Sequence, residues 1–304
     1  MVSVDIRLNS QKDMTEFVNR CERAFEARLD DVAKQVVSDK ELHIIALSGP
    51  TCSGKTICAN KLIYELEAAG KNIHLISIDD FFKERDVLNR ESEIASDSGL
   101  DYDSVNAIDL ELLTECTESI LAGKPTILPR YDFVSGKRGV RESVDPDESS
   151  IFIFEGIQAI YPEVTSLFGT KYKSVFISVA DDLELNGVYF GRRDIRLLRR
   201  LVRDYKFRGA APEFTFFIWR SVALNEDRCI LPYADTTDIQ IDSLMPYEPL
   251  LLKNELTAIL PSVADTSKYY PKALEILEKL DKLESIDAKL VPNNSLLREF
   301  IGNA

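Results

Sequence analysis

The run Gly49-Pro50-Thr51-Cys52-Ser53-Gly54-Lys55-Thr56 constrains this chain more than any other feature. It meets the pattern G-x-x-x-x-G-K-[ST] at every fixed position. It follows a short apolar run, His43 to Leu47, and opens a helical pattern, Thr56 to Ala69, that closes at Gly70. Glycines let the backbone curl so that successive N–H groups point inward, and the helix N-terminus adds positive potential, which together suit phosphate oxygens. Lys55 has the length to reach β- and γ-phosphates, and the Thr56 hydroxyl suits Mg²⁺. The competing reading is a chance glycine-rich turn, and the strand-then-helix setting argues against it. A nucleoside triphosphate with Mg²⁺ is therefore the expected ligand, with residues 49–56 as its cradle. Cys52 reads as a small residue that fits the loop.

The rest of the chain alternates strand and helix. Met14, Phe17, Val18, Cys21, Phe25, Leu29, Val32 and Val36 step by three and four, which predicts an amphipathic helix from Met14 to Val37. Further strands are expected at Ile73–Ile78, Ile151–Phe154, Ser174–Val179 and Asp238–Ile241. Helices are expected at Ile108–Leu121, Leu183–Lys206 (interrupted near Gly187 and Gly191), Leu250–Leu260, Lys272–Leu283 and Ser295–Ile301. The acidic stretch Glu142 to Glu148 reads as a solvated loop. This order predicts an α/β fold of the P-loop NTPase type, a mainly parallel sheet with helices on both faces. An N-terminal helix, an arginine-rich lid helix and C-terminal helices add to it. The expected division is a helical extension (1–41), a P-loop kinase-type domain (42–242) with its lid near 192–225, and a C-terminal helical segment (243–304) packed on that domain.

Composition narrows the class. Of 304 residues 51 are acidic and 37 basic, a net charge of −14 that repels nucleic-acid backbones and anionic lipid. No apolar run approaches the ~18 residues of a membrane span, and the N-terminus lacks a leader pattern. The five cysteines are scattered without zinc-site spacing, so reduced thiols in a cytoplasmic protein are expected. Two histidines exclude a His-rich metal centre. A small-molecule partner is expected, with neither nucleic acid nor membrane, and a homo-oligomer is allowed.

A GTPase reading fails because no Asp precedes a Gly by three positions and no Asn-Lys-x-Asp occurs. Phosphoryl transfer to a small molecule needs an acceptor base, a metal-orienting acid and cations over the γ-phosphate. Asp79, in Ser77-Ile78-Asp79-Asp80-Phe81-Phe82, sits at a strand's carboxyl end, where ligands of open α/β sheets bind. It could take a proton from an attacking hydroxyl; a solvated turn or helix cap is the alternative. Glu155 ends the third strand and could orient Mg²⁺, though a strand-end acid is often structural. Arg192, Arg193, Arg196, Arg199, Arg200, Arg203 and Arg208 crowd one stretch. Helical spacing puts Arg196, Arg200 and Arg203 on one face, with Leu197, Leu198, Leu201 and Val202 on the buried side. A solvated face and a nucleic-acid patch compete with a lid that closes over transferring phosphate; the overall charge weighs against the patch.

From about Leu42 through Ile301 these residues resemble the uridine kinase and phosphoribulokinase family of P-loop kinases. The markers are the 49–56 loop, Ser77 to Phe82, Asp101 in Leu100-Asp101-Tyr102-Asp103, Pro129-Arg130-Tyr131-Asp132-Phe133 and Phe154-Glu155-Gly156. Arg199 to Asp204 with Arg208-Gly209, and the close Val291 to Gly302, complete them. That close is similar to a longer uridine-kinase-like subgroup. The resemblance implies transfer of the γ-phosphate of ATP to a hydroxyl, best the 5′-hydroxyl of uridine or cytidine, or else a sugar-like or polyol alcohol. It implies Asp79 as general base, Asp101 on the sugar hydroxyls, and Tyr131 and Phe133 lining the base pocket. Lys55 and the lid residues Arg203 and Arg208 would act on the transferred group and Arg200 on the nucleotide, with Thr56 and Glu155 at the metal. Two departures fall on the acceptor side: Ser135-Gly136-Lys137-Arg138 stands where a base-contacting histidine is usual, and Ala210 stands where a lid arginine is usual. A nucleotide-binding regulatory module without an acceptor is the reading from another class.

Overall fold

A computed structural model describes residues 1–7, 10–95 and 104–302. The strands are β1 (Val2–Val4), β2 (Ile44–Ser48), β3 (Asn72–Ser77), β4 (Thr126–Asp132), β5 (Lys137–Val144), β6 (Ser150–Glu155), β7 (Tyr172–Ser178), β8 (Leu183–Leu185), β9 (Val188–Phe190) and β10 (Ile239–Asp242). The helices are α1 (Gln11–Ser38), α2 (Lys55–Ala68), α3 (Arg85–Ala95), α4 (Leu110–Leu121), α5 (Pro162–Thr165), α6 (Arg192–Arg208), α7 (Pro212–Asn225), α8 (Leu231–Ala234), α9 (Glu248–Ile259), α10 (Tyr270–Asp281) and α11 (Arg298–Ile301).

Five strands form one parallel sheet in the order β10-β7-β2-β6-β3. β2 is central and buried at every position. Alternation along it sends Ile45 and Leu47 to one face, among Phe17, Val18, Phe25, Leu62 and Leu201, and Ile44 and Ala46 to the other, among Phe81, Leu113 and Ile120. The sheet is thus covered on both sides, as the near-continuous apolar strands require. Leu47 and Ser77 both pair with Glu155, so β2, β3 and β6 end level, and their following loops share one edge.

The five sheet strands lie within two residues of their expected places. Three expectations are corrected. Leu183 to Phe190 is a hairpin, β8–β9, with α6 beginning only at Arg192. Its turn is Asn186-Gly187, both left-handed (φ 50 and 75), the two-residue turn whose twist matches paired strands. β1 adds to it in parallel. Glu142 to Val144 belongs to β5, which pairs antiparallel with β4, so the acidic loop begins later. Within Ser295–Ile301 only Arg298–Ile301 is helical. No helix among the described residues is long and apolar enough to cross a membrane.

Candidate active site

The loop after β2 is shaped by two left-handed residues, Cys52 (φ 58) and Gly54 (φ 93), which curl the backbone before α2 starts at Lys55. Gly49 lies so close to β7 that a Cβ there would stand 2.1 Å from the Ile177 carbonyl oxygen. Lys55 Nζ donates to the Gly49 and Pro50 carbonyls at 2.8 and 3.4 Å. Thr56 is exposed in the first turn of α2. Gly54 is roofed by Leu296, whose Cδ1 would be 2.4 Å from an added Cβ. Gly54→Ala is expected to cost about 1–2 kcal/mol from the left-handed backbone alone and more from that clash. Leu296→Ala in the same chain should restore the clash part but not the backbone part, as urea unfolding of both variants would read.

α6 supplies the second layer. The helix is not a solvated face: Arg196, Arg199 and Arg200 are buried along with its leucines. Arg196 donates to the Thr51 carbonyl at 3.2 Å and pairs with Glu226 at 2.6 Å. Arg199 donates to the Cys52 carbonyl at 3.1 Å and grips Glu248 through two bonds of 2.6 and 2.9 Å, both side chains being 0% exposed. A peptide plane carries its N–H opposite its C=O. Two arginines holding the carbonyls of Thr51 and Cys52 therefore orient the N–H groups of Cys52 and Ser53 the other way. Arg200 reaches Thr51 Oγ1 at 3.4 Å, and a cavity of about 180 Å³ opens there between Pro50, Thr51, Ile157, Arg200 and Glu226.

Arg200, Arg203 and Arg208 converge on one buried carboxylate, Asp204, at 3.1, 2.9 and 3.6 Å. Three cations on one anion leave a surplus of positive charge beside the loop. Burial and the neighbouring Arg203 lower the pKa of Arg208 below the usual arginine value. Arginine nevertheless stays charged.

On the other side of the shared edge, Ser77 ends β3 and a 3-10 turn, Ile78–Phe81, presents Asp79 and Asp80. Asp80 Oδ1 accepts the Tyr131 N–H at 3.0 Å, which ties β4 to the sheet edge. A cavity of about 530 Å³ is lined by Ser77, Asp79, Asp80, Arg130, Tyr131 and Phe133 among others. Tyr131 and Phe133 stand edge-to-face at 5.1 Å. The hairpin turn beyond them is held by Arg85, whose guanidinium donates to the Phe133 and Val134 carbonyls at 2.5 and 3.3 Å. Arg138, near where a histidine is usual, pairs with Asp109 at 2.7 Å.

Asp79, Tyr131 and Phe133 therefore share one cavity, and Arg200 shares another with the loop. Glu155 lies at the level of Ser77. Asp101 falls outside the described residues. Among the described residues no group of three or more His, Cys, Asp or Glu forms a ready-made metal cage. A hydroxyl plus a single strand-end acid is instead the donor set of a metal held largely by phosphate and water, which Mg²⁺ accepts.

Sequence reasoning missed three features. Asp204 stands at i+4 from Arg200 and i−4 from Arg208, a spacing that could have revealed it. Glu226 and Glu248, which neutralise Arg196 and Arg199, gave no signal. The closing segment was noticed as a marker, but not its fastening: Arg298 donates to the carbonyls of Ala288, Pro292 and Gly302. Ser295 Oγ and the Tyr247 hydroxyl both donate to the buried Glu22 of α1.

Uridine-cytidine kinase C of Dictyostelium discoideum is 30% identical over 169 residues, 56% of this chain and 31% of that protein. The uridine kinase of Saccharomyces cerevisiae is 28% identical over 261 residues, 85% of this chain and 47% of that one. The chain thus spans less than half the length of these two curated relatives. In fold alone it is similar to D-glycerate 3-kinase from Cryptococcus neoformans, at 16% identity and a TM-score of 0.47, covering 77% of this chain and 97% of that one. The model of the phosphoribulokinase / uridine kinase family matches residues 44–248, and the chain belongs to that family.

Proposed function

We propose that this chain transfers the γ-phosphate of Mg-ATP to a hydroxyl of a small molecule, with the 5′-hydroxyl of uridine or cytidine the leading acceptor. The observation that carries the reading is the cavity in which Asp79 faces Tyr131 and Phe133, at the same sheet edge as the phosphate loop. Asp79 would take the proton of the attacking hydroxyl. Lys55 would neutralise charge as the β–γ bridge breaks, and Arg203 and Arg208 would hold the transferring group while Arg200 holds the nucleotide. Thr56 and Glu155 would hold Mg²⁺, which when bound offsets the phosphate charge. Asp101 would receive the sugar hydroxyls, and residues 42–242 would form the catalytic domain. A cytoplasmic location fits the composition.

A second acceptor class has its own support. Arg138 is engaged by Asp109 and the 135–138 turn carries no histidine, so a sugar-like or polyol alcohol fits the cavity as a rival. An ATP-consumption screen over nucleosides, sugars and polyols separates them.

The same screen run on two variants tests the base. Asp79→Asn keeps size and removes the proton acceptor, so phosphoryl transfer should fall by roughly 10²–10⁴ with ATP affinity retained. Asp80→Asn keeps an acceptor for the Tyr131 N–H and should be mild. Equal, mild effects at the two positions would take Asp79 out of the mechanism. Absence of any acceptor across the screen would favour a regulatory nucleotide-binding module.

A further inference from the structure

The closing segment meets the phosphate loop at two points. Leu296 covers Gly54, and one turn later comes Glu299, in α11. Glu299 Oε2 is buried and has no hydrogen-bond partner among the described residues. Burial is the largest influence on it and pushes its carboxyl above the usual range, while the site charges of Lys55, Arg203 and Arg199 pull it back down and Glu155 repels it. Phe300, its neighbour, lies under the Arg199 guanidinium at 5.3 Å, which fixes the register of the turn against α6. A carboxylate thus sits among the cations that would hold a triphosphate.

That placement has an electrostatic consequence. A nucleotide arriving at Lys55 and Arg203 competes with Glu299 for the same cations and brings its own negative charge up to two carboxylates, Glu299 and Glu155. In a partly buried site such repulsion is weakly screened. It turns into attraction only when a divalent cation lies between the phosphates and the carboxylates. We infer that Glu299 is a positioning residue of the nucleotide site that makes binding conditional on a divalent cation, by penalising metal-free nucleotide. The inference rests on the ATP-binding reading above and extends it to a residue outside the family-matched region, residues 44–248.

The test is the affinity of the full chain for ATP by titration calorimetry, once with excess Mg²⁺ and once with EDTA. The quantity read is the ratio of the two dissociation constants. In Glu299→Gln, which keeps shape and removes charge, metal-free ATP should bind about tenfold tighter or more. Mg-ATP should bind no better, so the ratio collapses by at least that factor. Glu299→Asp keeps the charge and should keep most of the ratio. A ratio unchanged within twofold in a folded Glu299→Gln overturns the inference. So does a pair of variants that both shift the two affinities by one common factor, or that both fail to fold, since either result makes Glu299 a packing residue. If the wild-type chain binds no Mg-ATP, the ATP reading itself fails and takes this inference with it. If it binds Mg-ATP normally and only the ratio test fails, the ATP reading stands alone.

Discussion

Lys55→Ala should fold as the wild type does and lose phosphoryl transfer by about 10²–10³ or more. Among the described residues its ammonium hydrogen-bonds to the Gly49 and Pro50 carbonyls of its own loop, at 2.8 and 3.4 Å, so its removal breaks no hydrogen bond to a distant element and takes from Glu299 only one of three attracting charges. On the proposed reading, a nucleotide would draw Nζ off those carbonyls and onto phosphate. Binding of Mg-ATP should weaken less than turnover falls, because charge on the transferred group is redistributed chiefly in the transition state. ATP-to-ADP conversion at saturating acceptor, beside a far-ultraviolet spectrum of the variant, checks both halves. Near-normal turnover in a folded Lys55→Ala would remove the loop from catalysis.

The largest stability effect is expected at Arg199 and Glu248. Both side chains are fully buried and paired twice, and Arg199 also donates to the Ser243 and Cys52 carbonyls, at 2.7 and 3.1 Å. Removing one partner strands a charge in the core, so Arg199→Met or Glu248→Leu should each cost about 3–5 kcal/mol. The double substitution should recover much of that loss, because apolar groups of similar volume replace a buried pair at little net cost. Recovery will be incomplete, since two carbonyls lose their donor. Denaturant unfolding of the four proteins gives the coupling energy directly. Single losses under about 1 kcal/mol would mean that water reaches the pair.

These two expectations differ in how readable they are. The phosphate loop announces itself, because a tight curl before a helix restricts residue type at fixed spacing. The sheet strands are equally plain: buried on both faces, they are short apolar runs bounded by loops. The β8–β9 hairpin was legible too, since Asn186-Gly187 between Leu-Glu-Leu and Val-Tyr-Phe is a strong hairpin signal. The arginine density beyond Gly191 draws the eye to a single long helix instead. β4 and β5 are harder, for a two-stranded arm outside the main sheet alternates polarity imperfectly and carries Pro129.

The buried arginines of α6 are another matter. Helical periodicity separates charged from apolar positions, and it assigns charge to solvent. Arg196 and Arg199 go inward because Glu226 and Glu248, 30 and 49 positions away in the chain, meet them there. A pattern within one helix carries no record of such partners. The cavity beside Asp79 shows the same limit: Asp79 is visible at its strand end, but the Asp80 carboxylate that ties Tyr131 beside it acts across 51 positions.

The roof over Gly54 also bears on how the molecule comes into being. The loop is made early relative to its cover, for Leu296, Ser295 and Arg298 follow some 240 positions later. At ribosomal speeds of about 5–20 residues per second, that interval is roughly 12–50 s. Throughout it the nascent chain carries a phosphate loop without its cover, and α1 holds Glu22 without the Ser295 hydroxyl that bonds it in the finished fold. Contacts of such long range close late and slowly. The docking of residues 291–302 is therefore the step that finishes the loop, and a ribosome-bound chain stalled before it would possess the loop's sequence without its finished shape.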